Sequence, residues 1–333
     1  MKIHALRRCA IIVLVALALP ACGSSAPSAP PSAAAKPGNT PKAYRELVVG
    51  FAQIGAESEW RTANTRSIQE TAGRLGVELK FSDAQQQQEN QIKAIRSFIA
   101  QRVDVIGVSP VVETGWDDVF AEVKQAGIPL ILLDRHADVP DELFSAFIGS
   151  DFFEEGRRAC DELAALLGGS GTIVALNGTV GSAPAIDRTA GFEECLRGHP
   201  GMRVVAAQSG DFIRARGKEI MVALLKQHGR AIDGLFAQND DMALGAIEAI
   251  EEAGLRPGVD IKIVSIDAVR AAFEAMIAGK LNVTVECNPM LGPQFFETAL
   301  NLANRAPVEK WVKSHEGIYR QDTAAQDLPK RQY

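Results

Sequence analysis

Short apolar runs alternate with longer amphipathic segments along most of the chain, and this alternation restricts the fold more than any other feature of the sequence. The apolar runs are rich in β-branched residues and too short for helices, which predicts strands buried on both faces of a parallel sheet. Strands are predicted at 47–52, 77–82, 103–109 and 129–134. Helices are predicted at 60–75, 88–101 and 116–126. This order is typical of βαβ units and therefore of an α/β fold.

The pattern is interrupted at 145–151, where we expect a strand that leaves the first sheet. A second series follows, with strands predicted at 172–177, 203–208, 234–238, 261–266 and 282–287. Its helices are predicted at 153–167, 185–197, 214–227, 241–253, 269–278 and 291–303. Because both series alternate strands and helices in the same way, they predict two similar lobes, each a doubly wound parallel sheet. The polar tail 324–333 is expected to fray.

The N-terminal stretch differs in composition from the rest of the chain and is not expected to join the fold. Basic residues precede the apolar stretch 10–19, which is too short to span a bilayer, and this pattern predicts an export signal. The sequence Leu19-Pro20-Ala21-Cys22 is similar to a bacterial lipoprotein box, so 1–22 is interpreted as a lipoprotein signal peptide with Cys22 as the lipidated anchor. Ordinary signal cleavage is the alternative. Residues 23–45, mostly small residues and proline, predict a flexible tether.

Net charge and cysteine content restrict the partners and the compartment. The 333 residues carry a formal net charge of −6, which gives no basic surface for nucleic acid. Beyond the predicted signal and anchor, the cysteines are Cys160, Cys195 and Cys287. Exported proteins can form disulfides, and Cys160 and Cys195 lie on consecutive predicted helices, so we expect at most one bridge, between these two. Sequence alone does not fix the connectivity, and the spacings do not fit a zinc site.

Polar and aromatic side chains collect just after the predicted strands, or at the start of the helices that follow them. These residues are Ser58, Trp60, Arg61, Asp134, Arg135, Arg188, Phe212, Asn239 and Asp267. Ligands of open α/β sheets bind at the carboxyl ends of the strands, so we expect these groups to meet in one cleft between the lobes. Carboxylates, guanidinium groups, an amide and aromatic faces together suit a neutral polyhydroxylated ligand, such as a sugar.

Each of these residues also has an ordinary structural interpretation. Asp240 or Asp241 is expected to cap the following helix. Arg135 and Arg188 could form surface ion pairs, and Trp60 could belong to the core. The joint placement at strand ends favours a binding site over these alternatives.

Sequence patterns of common enzymes are missing from the chain. The five histidines show no metal-binding spacing, and neither a nucleophile elbow nor a Walker A phosphate loop occurs. We therefore expect no enzyme activity, no cofactor and no metal.

Five stretches form specific motifs, at 129–135, 185–192, 208–212, 236–245 and 265–267. Through them, the chain from about residue 47 to residue 322 resembles the periplasmic sugar-binding proteins of ABC importers. The type is that of ribose- and galactose-binding proteins, called periplasmic binding protein type I. The likeness is strongest to the galactofuranose-binding members, and it rests on 53–61, 86–94, 110–116 and 178–181.

That resemblance implies two lobes joined by a hinge of three crossings, near 147–149, 286–288 and 312–314. It implies an N-terminal lobe of 46–147 plus 288–312 and a C-terminal lobe of 148–287 plus 313–323. The residues that it implies as hydrogen-bonding the sugar are Asp134, Arg135, Arg188, Asn239 and Asp267. Those that it implies as lining the cleft are Ser58, Trp60, Arg61 and Phe212, with Cys287 near the ligand.

The resemblance also implies the role. The protein would capture a monosaccharide, galactofuranose-like or another furanose or pyranose, and deliver it to an ABC permease and its ATPase. Arg61 stands where ribose-type relatives have a second aromatic residue, which argues against ribopyranose. It would be a monomer tethered through Cys22 on the periplasmic or cell-surface side of a membrane.

Two other roles share this fold. A sugar sensor that presents its ligand to a chemoreceptor or sensor kinase is the main alternative. A sugar-responsive repressor is disfavoured, because the signal and tether occupy the place of a DNA-binding region. Since Arg188 is expected to be solvated in the open form, its removal is expected to weaken sugar binding with little change in unliganded stability.

Overall fold

The structure is a computed structural model, and it describes residues 41–333. The predicted signal peptide 1–22, its Cys22 anchor and most of the 23–45 tether lie outside the described residues. Within 41–333, no helix is both long and apolar enough to cross a membrane.

The first sheet contains six strands, all parallel. They are β1 (Val48–Gln53), β2 (Glu78–Asp83), β3 (Val105–Val108), β4 (Leu130–Leu133), β5 (Ala146–Gly149) and β11 (Trp311–Lys313). Their order across the sheet is β11-β5-β4-β3-β1-β2. Four helices cover it: α1 (Glu59–Leu75), α2 (Gln88–Ala100), α3 (Asp117–Gln125) and α9 (Gly292–Ala303). One apolar core includes α2 and α3, and a second includes α1 and α9, so both faces of the sheet are buried.

The second sheet also contains six strands. They are β6 (Ser170–Asn177), β7 (Gly201–Ser209), β8 (Gly234–Ala237), β9 (Lys262–Asp267), β10 (Val283–Glu286) and β12 (Ile318–Arg320). Their order is β12-β10-β9-β8-β6-β7, with β12 antiparallel to β10. The accompanying helices are α4 (Phe152–Leu167), α5 (Ala183–Leu196), α6 (Arg214–His228), α7 (Asp240–Glu252), α8 (Arg270–Ile277) and α10 (Ala324–Asp327).

The predicted fold class, two doubly wound parallel-sheet lobes, is confirmed. The strands and helices predicted between residues 47 and 303 are all present, with ends within two residues of those predicted. The strand expected at 145–151 is β5, which pairs with β4 before the chain leaves the first sheet. Sequence reasoning missed β11, β12 and α10, because three- and four-residue elements are too short to show a hydrophobic period.

The chain passes between the sheets three times, after β5, after β10 and after β11. The Glu316 carboxyl group, in the third crossing, accepts a hydrogen bond from Ser150 Oγ in the first. It also accepts one from the backbone N–H of Asn288, in the second, at 3.1 Å. Burial, with the nearby charge of Glu155, raises the pKa of Glu316 to about 9. A single side chain, neutral at physiological pH, therefore links all three crossings.

The predicted disulfide is present. Cys160 on α4 is bonded to Cys195 on α5, which fixes two neighbouring helices of the second lobe to each other. Cys287 is buried and is the free cysteine of the described part of the chain.

The prediction that the tail 324–333 frays is wrong. Ala324 is fully buried, and the guanidinium of Arg331 lies 2.8 Å from Glu286 Oε1. The Tyr333 hydroxyl also reaches Glu286 Oε1, at 3.0 Å. Two polar side chains of the tail, Arg331 and Tyr333, therefore pair with a buried carboxylate of the second sheet.

Candidate functional site

A cavity lies between the carboxyl ends of the strands of the two sheets. Its lining consists of Glu57, Ser58, Trp60, Arg61, Asp134, Arg135, Pro184, Arg188, Phe212, Asn239, Asp267 and Cys287. The ten residues predicted for the site are all brought together here, and each is at most 9% exposed. A ligand in this cavity would be almost completely enclosed.

The first turn of α1 delivers an aromatic ring and a cation to the cavity. Ser58 caps the helix, because its Oγ accepts a hydrogen bond from Arg61 N at 3.0 Å. The indole N–H of Trp60 donates to the backbone oxygen of Cys287 at 2.6 Å, which joins α1 to the second crossing. The guanidinium carbon of Arg61 lies 4.7 Å from the centre of the Trp60 ring, within cation–π distance.

Arg61 is the centre of a buried ion network on the first lobe's side. It donates to Asp134 Oδ2 at 2.5 Å and to Glu57 Oε1 at 3.1 Å. The Ser109 hydroxyl donates to the same Asp134 oxygen at 3.3 Å. Burial lowers the pKa of Arg61, but the charges of Asp134 and Glu57 outweigh burial and raise it. Arg61 therefore holds two carboxylates in fixed positions at the cavity wall.

Arg135 offers hydrogen-bonding capacity that the protein does not use. Its Nη1 donates to Val111 O at 2.9 Å, whereas its buried Nε has no hydrogen-bond partner within residues 41–333. Glu57 Oε2, also buried, likewise has no partner there. Burial, together with the charge of Arg61, lowers the pKa of Arg135 to about 10, so it remains a cation at neutral pH. Because buried polar groups normally have partners, an unpaired donor and an unpaired acceptor in one cavity indicate a polar ligand.

Arg188 holds the corresponding position on the second lobe's side. Its Nε lies 2.7 Å from Glu155 Oε2, and its Nη1 donates to Gln238 O at 2.7 Å. These partners lie on α4 and after β8, beside the same sheet as Arg188. Arg188 is 3% exposed in this structure, so we now expect it to stay paired rather than solvated when the lobes open. Its Nη2 lies 3.8 Å from Asp267 Oδ1, whose pKa burial raises well above the usual range.

Asn239 has mainly a structural role at the cavity wall. Its Oδ1 accepts a hydrogen bond from Met242 N at 3.0 Å and caps α7. Its Nδ2 donates to Phe212 O at 3.1 Å, which holds the Phe212 backbone. The prediction that Asp240 or Asp241 caps α7 is therefore wrong. One N–H of the Asn239 amide remains available to a ligand.

Several residues with a strained backbone lie at or next to the cavity. Positive φ angles occur at Asp134 (64°), Asp211 (54°), Phe212 (63°), Asp267 (126°) and Ala268 (61°). Non-glycine residues rarely adopt such angles, and each costs on the order of 1–3 kcal/mol unless the surroundings enforce it. Three of these residues line the cavity, so the strained turns aim side chains at the ligand position.

Direct contacts between the lobes surround the cavity. Asp241 Oδ2 accepts a hydrogen bond from Glu59 N at 2.8 Å. His136 Nε2 lies 2.8 Å from Asp187 Oδ2, and its Nδ1 lies 3.3 Å from Glu113 Oε1. Burial lowers the pKa of His136, but the hydrogen bond to Asp187 and the charges of Asp187 and Glu113 raise it overall. A protonated His136 can donate to both carboxylates and so favours the enclosed arrangement.

Sequence reasoning missed three residues of the site. Glu57 carried one weak signal, since it lies four residues before Arg61, with which it pairs, but it precedes the N-cap of α1. Pro184, at the start of α5, carried none. Glu155 lies 33 residues before Arg188 in the chain, and only the packing of α4 on α5 brings them together.

Comparisons with known proteins agree with this architecture. A family model described as "Periplasmic binding protein domain" matches residues 49–306. The galactofuranose-binding protein YtfQ of Escherichia coli (strain K12) is 44% identical over 290 residues, which are 86% of this chain and 91% of that protein. Such relatives are binding proteins rather than enzymes, in agreement with the expectation of no catalysis.

Two solved structures are similar over the same region. A Mycobacterium smegmatis protein in complex with β-D-fucofuranose is 52% identical, with a TM-score of 0.84, over 86% of this chain and 95% of that one. The periplasmic binding protein component of the arabinose ABC transporter from Shewanella sp. ANA-3, bound to α- and β-L-arabinofuranose, is 46% identical. Its TM-score is 0.83, over 86% of this chain and 96% of that one.

Proposed function

Because the chain belongs to the periplasmic binding protein family, we propose that it is the solute-binding component of an ABC importer for a monosaccharide in the furanose form. The relatives reported above bind galactofuranose, fucofuranose or arabinofuranose, according to their descriptions. The protein would enclose the sugar between its lobes and release it to the permease.

One observation carries this proposal. The cavity is enclosed, and it contains a buried donor and a buried acceptor, Arg135 Nε and Glu57 Oε2, that lack partners in the described chain. A sugar hydroxyl both donates and accepts, so a hydroxyl-rich ligand satisfies both atoms. Trp60 and Phe212 add aromatic surface for the apolar face of a sugar ring.

We assign the site residues by the hydrogen-bonding capacity that their contacts within the protein leave unused. Arg135, Arg188, Asp134 and Asp267 would form the charged hydrogen bonds to the sugar, and Asn239 would donate one more. The hydrogen bonds and ion pairs described above hold these side chains at the cavity wall. The remaining residues predicted for the lining are Ser58, Trp60, Arg61, Phe212 and Cys287.

Binding is proposed to close the two lobes about the hinge. The N-terminal lobe would comprise 46–147 plus 288–312 and the C-terminal lobe 148–287 plus 313–323. Only the enclosed arrangement contacts the sugar from both sides, so the ligand favours it by its differential affinity. The Glu316 linkage of the three crossings would keep the hinge intact during this motion.

The N-terminal sequence supports a location for this activity. We propose that residues 1–22 direct export, that Cys22 carries a lipid, and that the 23–45 tether holds a monomer near its permease. A periplasmic or cell-surface protein on such a tether would encounter the permease frequently. The alternative, a sugar sensor for a chemoreceptor or kinase, uses the same site and differs only in the partner.

A thermal-shift screen tests the proposal. The protein without residues 1–40 is heated with pentoses and hexoses that populate furanose forms, and with matched sugars locked as pyranosides. We expect a rise in melting temperature with at least one furanose-forming sugar, because a ligand that binds only the folded state stabilises it. If no sugar raises it, the proposed function is wrong.

A further inference from the structure

The tail that sequence reasoning expected to fray instead contacts the back of the sugar site. We infer that residues 331–333, here called the strap, are a positioning element that holds the Asp267–Ala268 turn in its binding-competent conformation. This inference rests on the proposed function for its effect on affinity, but not for its effect on the turn.

Glu286, the last residue of β10, is the attachment point of the strap. Its Oε1 forms an ion pair with Arg331 Nη1 at 2.8 Å and accepts a hydrogen bond from the Tyr333 hydroxyl at 3.0 Å. Its Oε2 accepts from Gly317 N at 2.9 Å and from the Tyr319 hydroxyl at 3.2 Å. The end of β10, the third crossing and the strap therefore meet at one carboxylate.

Arg331 is held as a buried cation rather than a surface charge. Its side chain is 8% exposed, and its guanidinium carbon lies 4.6–5.3 Å from the ring centres of Phe273, Tyr319 and Tyr333. A charge in such a place requires a counter-ion, and Glu286 provides it. The strap is thus fixed in one position by both charge and packing.

From this position the strap reaches the strained turn. Asp267 and Ala268 have φ angles of 126° and 61°, and Arg331 Nη2 donates to Ala268 O at 3.1 Å. The Tyr333 hydroxyl lies 3.5 Å from Asp267 O. Asp267 is also the register partner of Glu286 in the sheet. The strap therefore contacts both the Asp267–Ala268 turn and the neighbouring strand β10.

The consequence for the site follows from the strain. A turn with two positive φ angles persists only where its surroundings enforce it. Without the strap, the turn loses the bond to Ala268 O and keeps those from Ala268 N to Thr284 Oγ1 and from Val269 N to Asp240 Oδ2, so its carbonyl side becomes free to relax. Its carboxylate, which lines the cavity near Arg188, would then no longer be aimed at the ligand. Arg331 never touches the sugar and acts through Asp267.

Two strap variants and one control test this inference. Tyr333→Phe keeps the ring beside Arg331 and removes only the hydroxyl, whereas Arg331→Gln removes the cation. Lys330→Gln is the matched control, because Lys330 is 74% exposed and, within residues 41–333, its ion pair is with Asp327 alone. We expect Arg331→Gln to weaken binding of the best sugar from the screen by about tenfold, Tyr333→Phe by about threefold, and Lys330→Gln not at all.

A double-substitution cycle separates positioning from general stability. With Asp267→Asn already present, Arg331→Gln should weaken binding clearly less than it does alone, because the group that it positions has changed. Equal weakening in both backgrounds, or none in either, overturns the inference.

Hydrogen exchange gives a readout that needs no ligand. In the unliganded protein, amides 266–270 should exchange faster in Arg331→Gln and Tyr333→Phe than in Lys330→Gln. Unchanged exchange there also overturns the inference. If the wild-type protein binds no sugar, the proposed function falls, and this exchange still decides the role of the strap.

Discussion

Replacing Arg188 by alanine tests whether the second lobe's side of the cavity is prearranged without ligand. Arg188 is paired with Glu155 at 2.7 Å and bonded to Gln238 O at 2.7 Å. Both partners accompany the second sheet, so we expect them to stay with Arg188 whether or not the lobes close. The substitution therefore removes the counter-charge from Glu155, a residue that is only 1% exposed.

The magnitude follows from that burial. Removing one member of a buried ion pair costs about 3–5 kcal/mol of unfolding free energy, because the other charge is left unpaired. Burial already raises the pKa of Glu155, and Arg188 is the main group that lowers it. In the variant, the folded-state pKa of Glu155 lies still further above its unfolded value, so the folded state binds the proton more tightly. The stability deficit should thus be largest at neutral pH and should shrink as pH falls.

Urea unfolding of the unliganded protein at about pH 7.5 and about pH 5.5 measures both effects. Arg214→Ala is the matched control, because Arg214 pairs with Glu248 at 2.9 Å on the exposed surface of the same lobe. Exposed pairs contribute about 0–1 kcal/mol. Adding Glu155→Gln to Arg188→Ala should recover part of the loss at neutral pH. An Arg188→Ala protein as stable as the control, with no pH dependence of the difference, would refute this reasoning.

Three further predictions concern other parts of the chain. Replacing Cys160 and Cys195 together by serine should lower the unfolding free energy by about 2–4 kcal/mol. In the wild-type protein, unfolded without reduction, thiol counting should find neither of these two cysteines free, and two extra thiols would contradict the bridge. Sugar affinity should be highest below about pH 6.5 and fall as pH rises through the raised pKa of His136, because protonated His136 pairs with Asp187 across the closed lobes. A pH profile of affinity that is unchanged in His136→Asn would contradict this. Cys22→Ser should release the protein from membranes, and unaltered membrane fractionation would rule out the anchor.

The alternation of apolar runs was sufficient to predict the two sheets, because buried parallel strands and amphipathic helices leave strong local signals. The short elements after residue 303 left none. The tail was misread for a related reason. Its charged and aromatic residues are typical of a solvated end, and only the fold shows that Arg331 finds a buried carboxylate in Glu286.

For the site, strand ends predicted the placement of side chains but not their partners. Arg188 and Asp134 fell at strand ends and helix starts, where the α/β topology itself brings ligand-binding groups together. The pairing of Arg188 with Glu155 depends on how α4 packs on α5, and no local pattern encodes it. The same holds for Asn239, whose cap and bond to Phe212 O take most of its hydrogen-bonding capacity.

Isothermal titration of the wild-type protein with a furanose and its matched pyranose tests the central claim most directly. Methyl galactofuranoside is titrated beside methyl galactopyranoside, since neither glycoside can change its ring form. We predict a dissociation constant of about 1 μM or tighter for a furanose, since charged groups on both sides of an enclosed cavity meet its hydroxyls. We predict no measurable heat with the pyranoside. Binding of the pyranoside alone, or of neither this furanose nor an arabinofuranose, would contradict the account.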